Sequence, residues 1–452
     1  MRKFIYILLA FIPFFLFSSQ PVLASEENIP NNKFGIHILQ EEDISDAANL
    51  VNSAGGDWGY VTFVVQKGER DFSRWQKVFD ELRRKHLIPI VRIATRPMGD
   101  TWEKPSLDEI DGWVSFLASL NWVVKDRFVI VGNEPNHAKE WGGEVNPQEY
   151  VNYLCEFSSK LKKESSNFYV LPGALDASAP NSKTSMEESL FLAKMSLTNP
   201  NWESCLDFWN SHSYPNPDFA GSANGWGKGS VRTYLWELDY LKSLGFKKDL
   251  SVFITETGWS QKKLNQEEIG KRLTFTFENI WLKDDRVKAI TPFILNYTSE
   301  PFWDFSWKNK EGKFFSFYED IQKIEKIKGE PIQEFKGEIL ATFAQPIHRA
   351  SAEFSGIVLV KNLGQGIWDK ENITLETLSG SPVSISSFSL DSIEPGKVGI
   401  IHFKARAPNK LSFNLVPLVV NYKGREITNS VSFLLITLGQ VEMKIYRLFG
   451  KI

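Results

Sequence analysis

Two glutamates stand where apolar runs stop. Phe128-Val129-Ile130-Val131 leads into Gly132-Asn133-Glu134-Pro135, and Val252-Phe253-Ile254 leads into Thr255-Glu256-Thr257-Gly258-Trp259. A carboxylate ending a buried apolar run is costly to desolvate unless its surroundings use the charge or keep the group neutral, so both positions ask for chemistry. Two carboxyls facing each other across a cleft suit the cleavage of a glycosidic bond, in which one protonates the leaving oxygen while the other attacks or activates water. A separation of about 5–5.5 Å goes with retention of configuration and a wider one with inversion.

Neighbouring runs supply helpers by period-two alternation. Asn210, His212 and Tyr214 share one face, where a tyrosine hydroxyl can hold a nucleophilic carboxylate ionised and an imidazole can tune an acid/base or bind a sugar hydroxyl. Arg92 and Arg96 alternate in 90–96; a buried arginine needs an anionic partner, and Glu256 or another acid can serve Arg92. Past the last apolar run, Pro301-Phe302-Trp303-Asp304-Phe305 gathers aromatics, with Trp303 as a candidate floor for a sugar subsite. Trp141, Trp226 and Trp259 follow other runs and can either line a cleft or pack in loops. His37 and His137 lie at similar ends, yet no His-x-x-x-His or equivalent ligand spacing occurs, so neither metal nor cofactor is expected.

These residues need a scaffold that brings several strand ends to one place. Short β-branched and aromatic runs at 33–38, 60–65, 88–94, 128–132, 169–173, 208–214, 252–256 and 289–295 alternate with segments of helical periodicity, the mark of repeated βα units. Eight such strands predict a (β/α)8 barrel, whose reactive groups come from the carboxyl ends of its strands. Two helices are explicit: 72–85 sets Trp75, Val78, Phe79 and Leu82 on one face, and 147–163 does the same with Tyr150, Tyr153, Leu154, Phe157 and Leu161. The barrel is expected over 25–325, with a charged linker at 326–336 carrying Gly329-Glu330-Pro331. From 337 to 439 helical periodicity gives way to about seven strands, among them 352–361, 373–378, 399–405, 413–422 and 431–437, which predict a smaller all-β sandwich. Residues 440–452 form a tail with Lys444, Arg447 and Lys451 among apolar residues, either a packed or frayed terminus or a segment lying on a membrane.

A chain of 452 residues exceeds what one core supports, in keeping with two domains. Hydrophobic residues at 42% and charged residues at 24% mark a globular protein, and a net charge of −3 argues against the basic face of a nucleic-acid binder. The 15 tryptophans matter more, because an indole face stacks on the C–H face of a sugar ring as readily as it fills a core. Arg2-Lys3, an apolar run to Phe17 and Val22-Leu23-Ala24 read as a signal peptide over 1–24, which places the chain outside the cytoplasm, secreted or at the cell surface. Membrane contact through the leader then requires that it stay uncleaved. Cys155 and Cys205 fit a disulfide or two thiols equally well, and no feature specifies an oligomeric state.

Taken together, these segments resemble the clan A glycoside hydrolases, the barrel superfamily whose acid/base ends strand four and whose nucleophile ends strand seven. Family 39 and the cellulase-like families are the nearest relatives, over about residues 33–320. The resemblance is carried by Asn133-Glu134-Pro135, by Glu256 in its Thr-Glu-Thr-Gly-Trp run, and by their places in the strand order. It implies a retaining hydrolase of β-linked oligo- or polysaccharides, with Glu134 as acid/base and Glu256 as nucleophile. It further implies Asn133 as a donor to the sugar 2-hydroxyl and His212 or Tyr214 as supporting groups. One departure is plain: the cellulase-like pattern has an arginine at strand two, whereas 60–65 has none and Arg92 comes from strand three. The C-terminal strands resemble bacterial immunoglobulin-like accessory domains, which implies a spacer or packing role ahead of sugar binding. A transglycosylase would use the same residues; a carbohydrate-binding protein would keep the cleft without needing both acids.

Overall fold

Eight parallel strands close a barrel in the computed structural model, which describes residues 29–449, so the leader expected at 1–24 lies outside the described residues. Strands β1 (Gly35–His37), β2 (Gly59–Gln66), β3 (Leu87–Ala94), β4 (Arg127–Val131) and β5 (Phe168–Pro172) form one sheet. A second contains β6 (Trp209–His212), β7 (Val252–Glu256) and β8 (Val287–Ile290). A parallel bridge from Phe34 to Ile290 joins β8 to β1. At the other seam the Asp207 N–H donates to the Val170 carbonyl and Asn210 Nδ2 to the Pro172 carbonyl, each at 3.0 Å.

Between the strands, and after the last, lie α1 (Ile44–Val51), α2 (Phe72–Arg84), α3 (Ile110–Ser119), α4 (Pro147–Glu164), α5 (Glu188–Thr198), α6 (Thr233–Ser243), α7 (Gln266–Thr276) and α8 (Ser316–Lys323). Local sequence sets their ends. Asp71 caps α2 by accepting the Arg74 N–H at 2.6 Å, and Arg83 and Arg84 meet the negative end of the helix dipole. In α4, Asn146 is the cap and Pro147 occupies the first turn, where its missing N–H costs nothing. The fold class read from the sequence is the one observed.

The barrel interior is filled from the bottom. Tyr60, Phe128, Phe208 and Phe253 meet across it with ring centroids 4.9 to 6.3 Å apart. Above this aromatic plug comes a polar layer, in which Thr62 and Thr291 hydroxyls lie 2.8 Å apart and Thr255 Oγ1 donates to Asn210 Oδ1 at 2.6 Å. The sixth and eighth strands end sooner than their apolar runs, because beyond them the chain leaves the ladder to build the mouth: Phe293 N–H binds the Thr257 carbonyl and Leu295 N–H the His37 carbonyl. Strand β7 departs from simple alternation, which would set Ile254 and Glu256 on one side: Phe253 and Thr255 face inward, and a register shift that pairs His212 with Glu256 turns Glu256 to the mouth as well.

Behind β6, Glu188 of α5 and Glu237 of α6 are both fully buried. Glu237 accepts the Trp209 indole N–H at 2.9 Å, while both Glu188 oxygens lack a donor, so the two carboxyls can bond to each other only if a proton stays between them. Burial, and then the charge of Glu237, push Glu188 well above its ordinary value; burial raises Glu237 too. A raised folded-state value means stability that is complete below pH 4.5, the ordinary glutamate value, and lost as pH rises through the raised one. Glu188→Gln is therefore expected to raise the melting temperature relative to wild type by more at pH 8 than at pH 5, the stability difference growing by at most about 1.4 kcal/mol per pH unit between the ordinary and the raised value. A melting-temperature difference that does not change with pH would show that no proton is held there.

The C-terminal strands are β9 (Gly337–Ala344), β10 (Ile347–Arg349), β11 (Glu353–Asn362), β12 (Ile373–Thr377), β13 (Ser384–Leu390), β14 (Val398–Arg406), β15 (Ser412–Tyr422), β16 (Arg425–Glu426) and β17 (Val431–Leu438). They form two sheets, β9-β11-β14-β13 and β10-β17-β15-β12, with β16 paired to β15, around a separate core that includes Phe354, Val358, Phe403, Val416 and Phe433. Nine strands stand where about seven were expected, because β10 and β16 are too short to show a pattern. Gln365 Nε2 donates to the Val124 carbonyl at 2.9 Å, Asn121 Nδ2 to the Gly364 carbonyl at 3.0 Å, and Arg84 pairs with Glu394 at 2.7 Å. Those barrel residues precede β3 and β4, so the contact lies at the amino ends of the strands, opposite the mouth. The tail forms α9 (Gln440–Phe449), and among the described residues no helix is long and apolar enough to cross a membrane. Cys155 on α4 and Cys205 just before β6 form a disulfide, which decides between the two readings of the cysteines.

Candidate active site

Glu134 leaves β4 through a sharp turn. Gly132 takes φ +89°, and a Cβ on Gly173, just past β5, would lie 2.8 Å from the Gly132 carbonyl carbon, so glycine is what lets the two strand ends close on each other. Glu134 itself sits at φ +34°, a left-handed conformation that costs about 1–3 kcal/mol for such a residue and persists only when its neighbours enforce it. Two backbone bonds do so: Glu134 N–H to the Ala174 carbonyl and His137 N–H to the Glu134 carbonyl, both at 2.9 Å.

The strand ends bring Glu134, Glu256, His212, Tyr214, Arg92 and Asn133 together. His212 Nδ1 lies 2.9 Å from Glu134 Oε1 and 3.7 Å from Glu256 Oε2, and one oxygen of each carboxylate falls within 4.8 Å of the other. Tyr214 O–H donates to Glu256 Oε2 at 3.1 Å. Arg92 Nη1 donates to Glu256 Oε1 at 2.5 Å and to Asn133 Oδ1 at 2.6 Å, which gives the arginine of strand three the anionic partner expected of it. His37, fully buried, places Nδ1 3.9 Å from Glu256 Oε1.

These surroundings keep Glu256 ionised. Burial works to raise Glu256, but the charges of His212 and Arg92 outweigh it and hold the carboxyl down at about 2. Burial likewise works to lower His212, and the carboxylates of Glu256 and Glu134 overcome it and raise the imidazole above its ordinary value. Burial and the adjacent Glu256 push the Tyr214 phenol up, so it stays a donor. Burial and then Arg92 lower His37 to about 3, leaving it neutral. Glu134, Glu256 and His212 stand close enough to share a cation, but Arg92 already occupies one oxygen of Glu256 and Tyr214 the other.

Several candidates lie elsewhere. His137 pairs with Asp176 at 2.9 Å instead of joining the acids. Trp141 and Trp259 are buried, their indole N–H groups turned to Glu149 and the Gly221 carbonyl, so they pack loops and do not line the cleft. Trp226 is exposed, with Arg232 4.2 Å over its ring. Trp303 sits on the rim, its N–H donating to Glu300 at 3.0 Å and Lys262 5.5 Å over its ring, while the aromatics that reach Tyr214 are Phe219 and Phe305. One carboxyl went unnoticed: Glu140 lies in the turn after Glu134 and hydrogen-bonds Asn133, with burial and then the charge of Glu134 raising it. Its Lys139-Glu140 setting reads as surface, and only its distance of six residues from Glu134 hinted otherwise.

No family sequence profile matches this chain, and no curated protein matches it. Among solved structures, it is similar to a family 39 glycoside hydrolase from the gut symbiont Bacteroides cellulosilyticus WH2, at 13% identity and a TM-score of 0.47 over 84% of this chain and 81% of that one. It is also similar to a glucosidase from Croceicoccus marinus, at 10% identity and a TM-score of 0.49 over 84% and 97%. A third is AbfB, a family 51 alpha-L-arabinofuranosidase from Bifidobacterium longum, at 12% identity and a TM-score of 0.44 over 84% and 95%.

Proposed function

We propose that this protein is a retaining glycoside hydrolase that cleaves β-linked oligo- or polysaccharides by double displacement. The observation that carries the reading is the pair Glu134 and Glu256, with oxygens within 4.8 Å of each other and Glu256 held ionised by its neighbours. That spacing suits retention and leaves no room for the water that inversion places between carboxyls about 6.5–9.5 Å apart. Glu256, held ionised by Arg92, His212 and Tyr214, attacks the anomeric carbon; the bond to the leaving oxygen breaks, and that oxygen takes a proton from Glu134. His212 Nδ1, 2.9 Å from Glu134 Oε1, is placed to pass a proton to it. Glu134, now a carboxylate, removes a proton from water as the water oxygen attacks the glycosyl-enzyme and releases Glu256. Asn133 gives its carbonyl oxygen to Arg92, which leaves an amide N–H for the sugar 2-hydroxyl. No cofactor is needed.

Turnover of aryl β-glycosides or of β-glucan, xylan or mannan tests the reading, and binding of one of these without cleavage would favour a carbohydrate-binding protein. Arg92→Met carries a sharper expectation. Glu256 must be ionised to attack, so activity falls as pH drops through its pKa, which Arg92 helps to hold at about 2. Without the guanidinium the acid limb of kcat/KM should move up toward 4.5, the ordinary glutamate value, while the basic limb stays. An unmoved acid limb would remove Arg92 from the account.

The proposal extends to processing and layout. A signal peptide over 1–24, a catalytic barrel over 25–325, a linker at 326–336, an immunoglobulin-like sandwich over 337–439 and a tail at 440–452 suit a secreted or cell-surface enzyme. The Cys155–Cys205 disulfide supports that setting, since disulfides persist in oxidising compartments.

A further inference from the structure

The end of the β-region farthest from the barrel carries apolar side chains that nothing among the described residues covers. Alternation sets Phe413 and Leu415 of β15 on the outer face of their sheet, opposite Ile436 and Leu434 of β17, with Ile347 of β10 beside Ile436. Phe413 is 72% exposed and Leu415 68%, and Leu411 in the preceding turn and Val441 at the start of α9 are 60% and 68% exposed. Scattered exposed hydrophobics need no explanation, but a contiguous group of this kind marks a contact surface.

Its place in the molecule is defined by β11. That strand begins at Glu353, paired with Arg406 beside the 408–412 turn, and ends at Asn362, next to the Gly364 and Gln365 contacts with the barrel. The apolar group therefore lies at one extreme of the protein and the barrel mouth at the other.

Exposed cations lie at the same end of the β-region. Arg349, Arg406, Lys410 and Lys444 are exposed and form no ion pair among the described residues; the acids at this end are Glu353, in register with Arg406, and Glu442. The terminal sequence continues the pattern: Val441, Ile445 and Leu448 recur at i, i+4 and i+7, and Lys444, Arg447 and Lys451 at i, i+3 and i+7. An apolar stripe flanked by a basic one is the pattern of a helix that lies in a bilayer interface.

We propose that this end docks on an anionic lipid bilayer. Leu411, Phe413, Leu415 and Val441 enter the headgroup region while the cations meet lipid phosphates, and the barrel mouth points away from the membrane. A second copy of the chain is the poorer occupant, because pairing two such ends would bring like charges together. The inference stands apart from the reading of the acids.

Co-sedimentation of the chain beginning at Ser25 with phosphatidylcholine vesicles, with and without phosphatidylglycerol, tests it without any contribution from the leader. Binding to the anionic vesicles is expected, weakening as salt is added. The pair Phe413→Ser and Leu415→Ser should lower the partition coefficient about tenfold. The pair Lys410→Glu and Lys444→Glu should lower it about as much on anionic vesicles and leave the neutral ones unchanged. Either pair suffices if the other fails to show the wild-type thermal transition. No binding to either vesicle, or binding that both pairs leave intact, would overturn the proposal. So would a dimer, seen by sedimentation velocity and lost in the Phe413 and Leu415 variant, that forms without any affinity for lipid.

Discussion

Glu256→Ala should lower hydrolysis of aryl β-glycosides by on the order of 10⁶-fold, the scale on which loss of an enzymic nucleophile acts. The effect is this large because the neighbours of Glu256 have no other carboxylate to offer the anomeric carbon: Glu134 lies on the leaving-group side, tied to His212 Nδ1. The vacated space is lined by Arg92, Tyr214 and His212, all placed to hold an anion. Azide should occupy it, restore turnover of substrates with good leaving groups, and give a glycosyl azide of inverted configuration. The variant also strands Arg92, whose side chain is only 14% exposed, and breaking a buried pair in this way costs about 3–5 kcal/mol. Asn133 Oδ1 still accepts from Arg92, and azide rescue itself shows that the folded site survives. Full activity in Glu256→Ala would mean that the nucleophile is another residue.

Glu134→Ala should behave differently, and the contrast is the informative part. Losing a general acid is worth about 10²–10⁴-fold, and the loss should fall on substrates whose leaving group needs a proton. Dinitrophenyl glycosides need none, so their first step should be nearly unaffected while release of the glycosyl-enzyme slows and an intermediate accumulates. Azide should then speed the second step and yield a glycosyl azide of retained configuration. The basic limb of the pH profile, set in wild type by the acid that protonates the leaving group, should flatten. Uniform loss across all leaving groups would instead assign Glu134 a positioning role.

How much of this could be read in advance depended on whether the signal was local. Strand positions and the Gly-Asn-Glu-Pro and Thr-Glu-Thr-Gly runs were legible because an apolar run ending in a carboxylate is a local pattern. The inward turn of Glu256 is not legible from alternation along its strand, because it depends on the register shift against β6. The sequence left the tryptophans open between cleft and loop because what matters is where the indole N–H finds its acceptor, and for Trp141 and Trp259 the acceptors are loop groups that no spacing reveals. Glu140 and the buried pair of Glu188 and Glu237 were invisible for the same reason: a glutamate in a polar segment looks solvated until packing buries it. The disulfide joins residues 50 apart, a distance no sequence period connects. The serine-rich β13 offers little apolar alternation, because it lies at a sheet edge with much of its length exposed.

The most direct test of the account is the configuration of the sugar first released from a β-linked substrate, followed by proton NMR before mutarotation. Attack by Glu256 and then by water from the same face predicts that the β-anomer appears first and the α-anomer only as equilibrium is reached. If the α-anomer appears first, a single displacement is at work, and Glu256 is a base for water instead of a nucleophile.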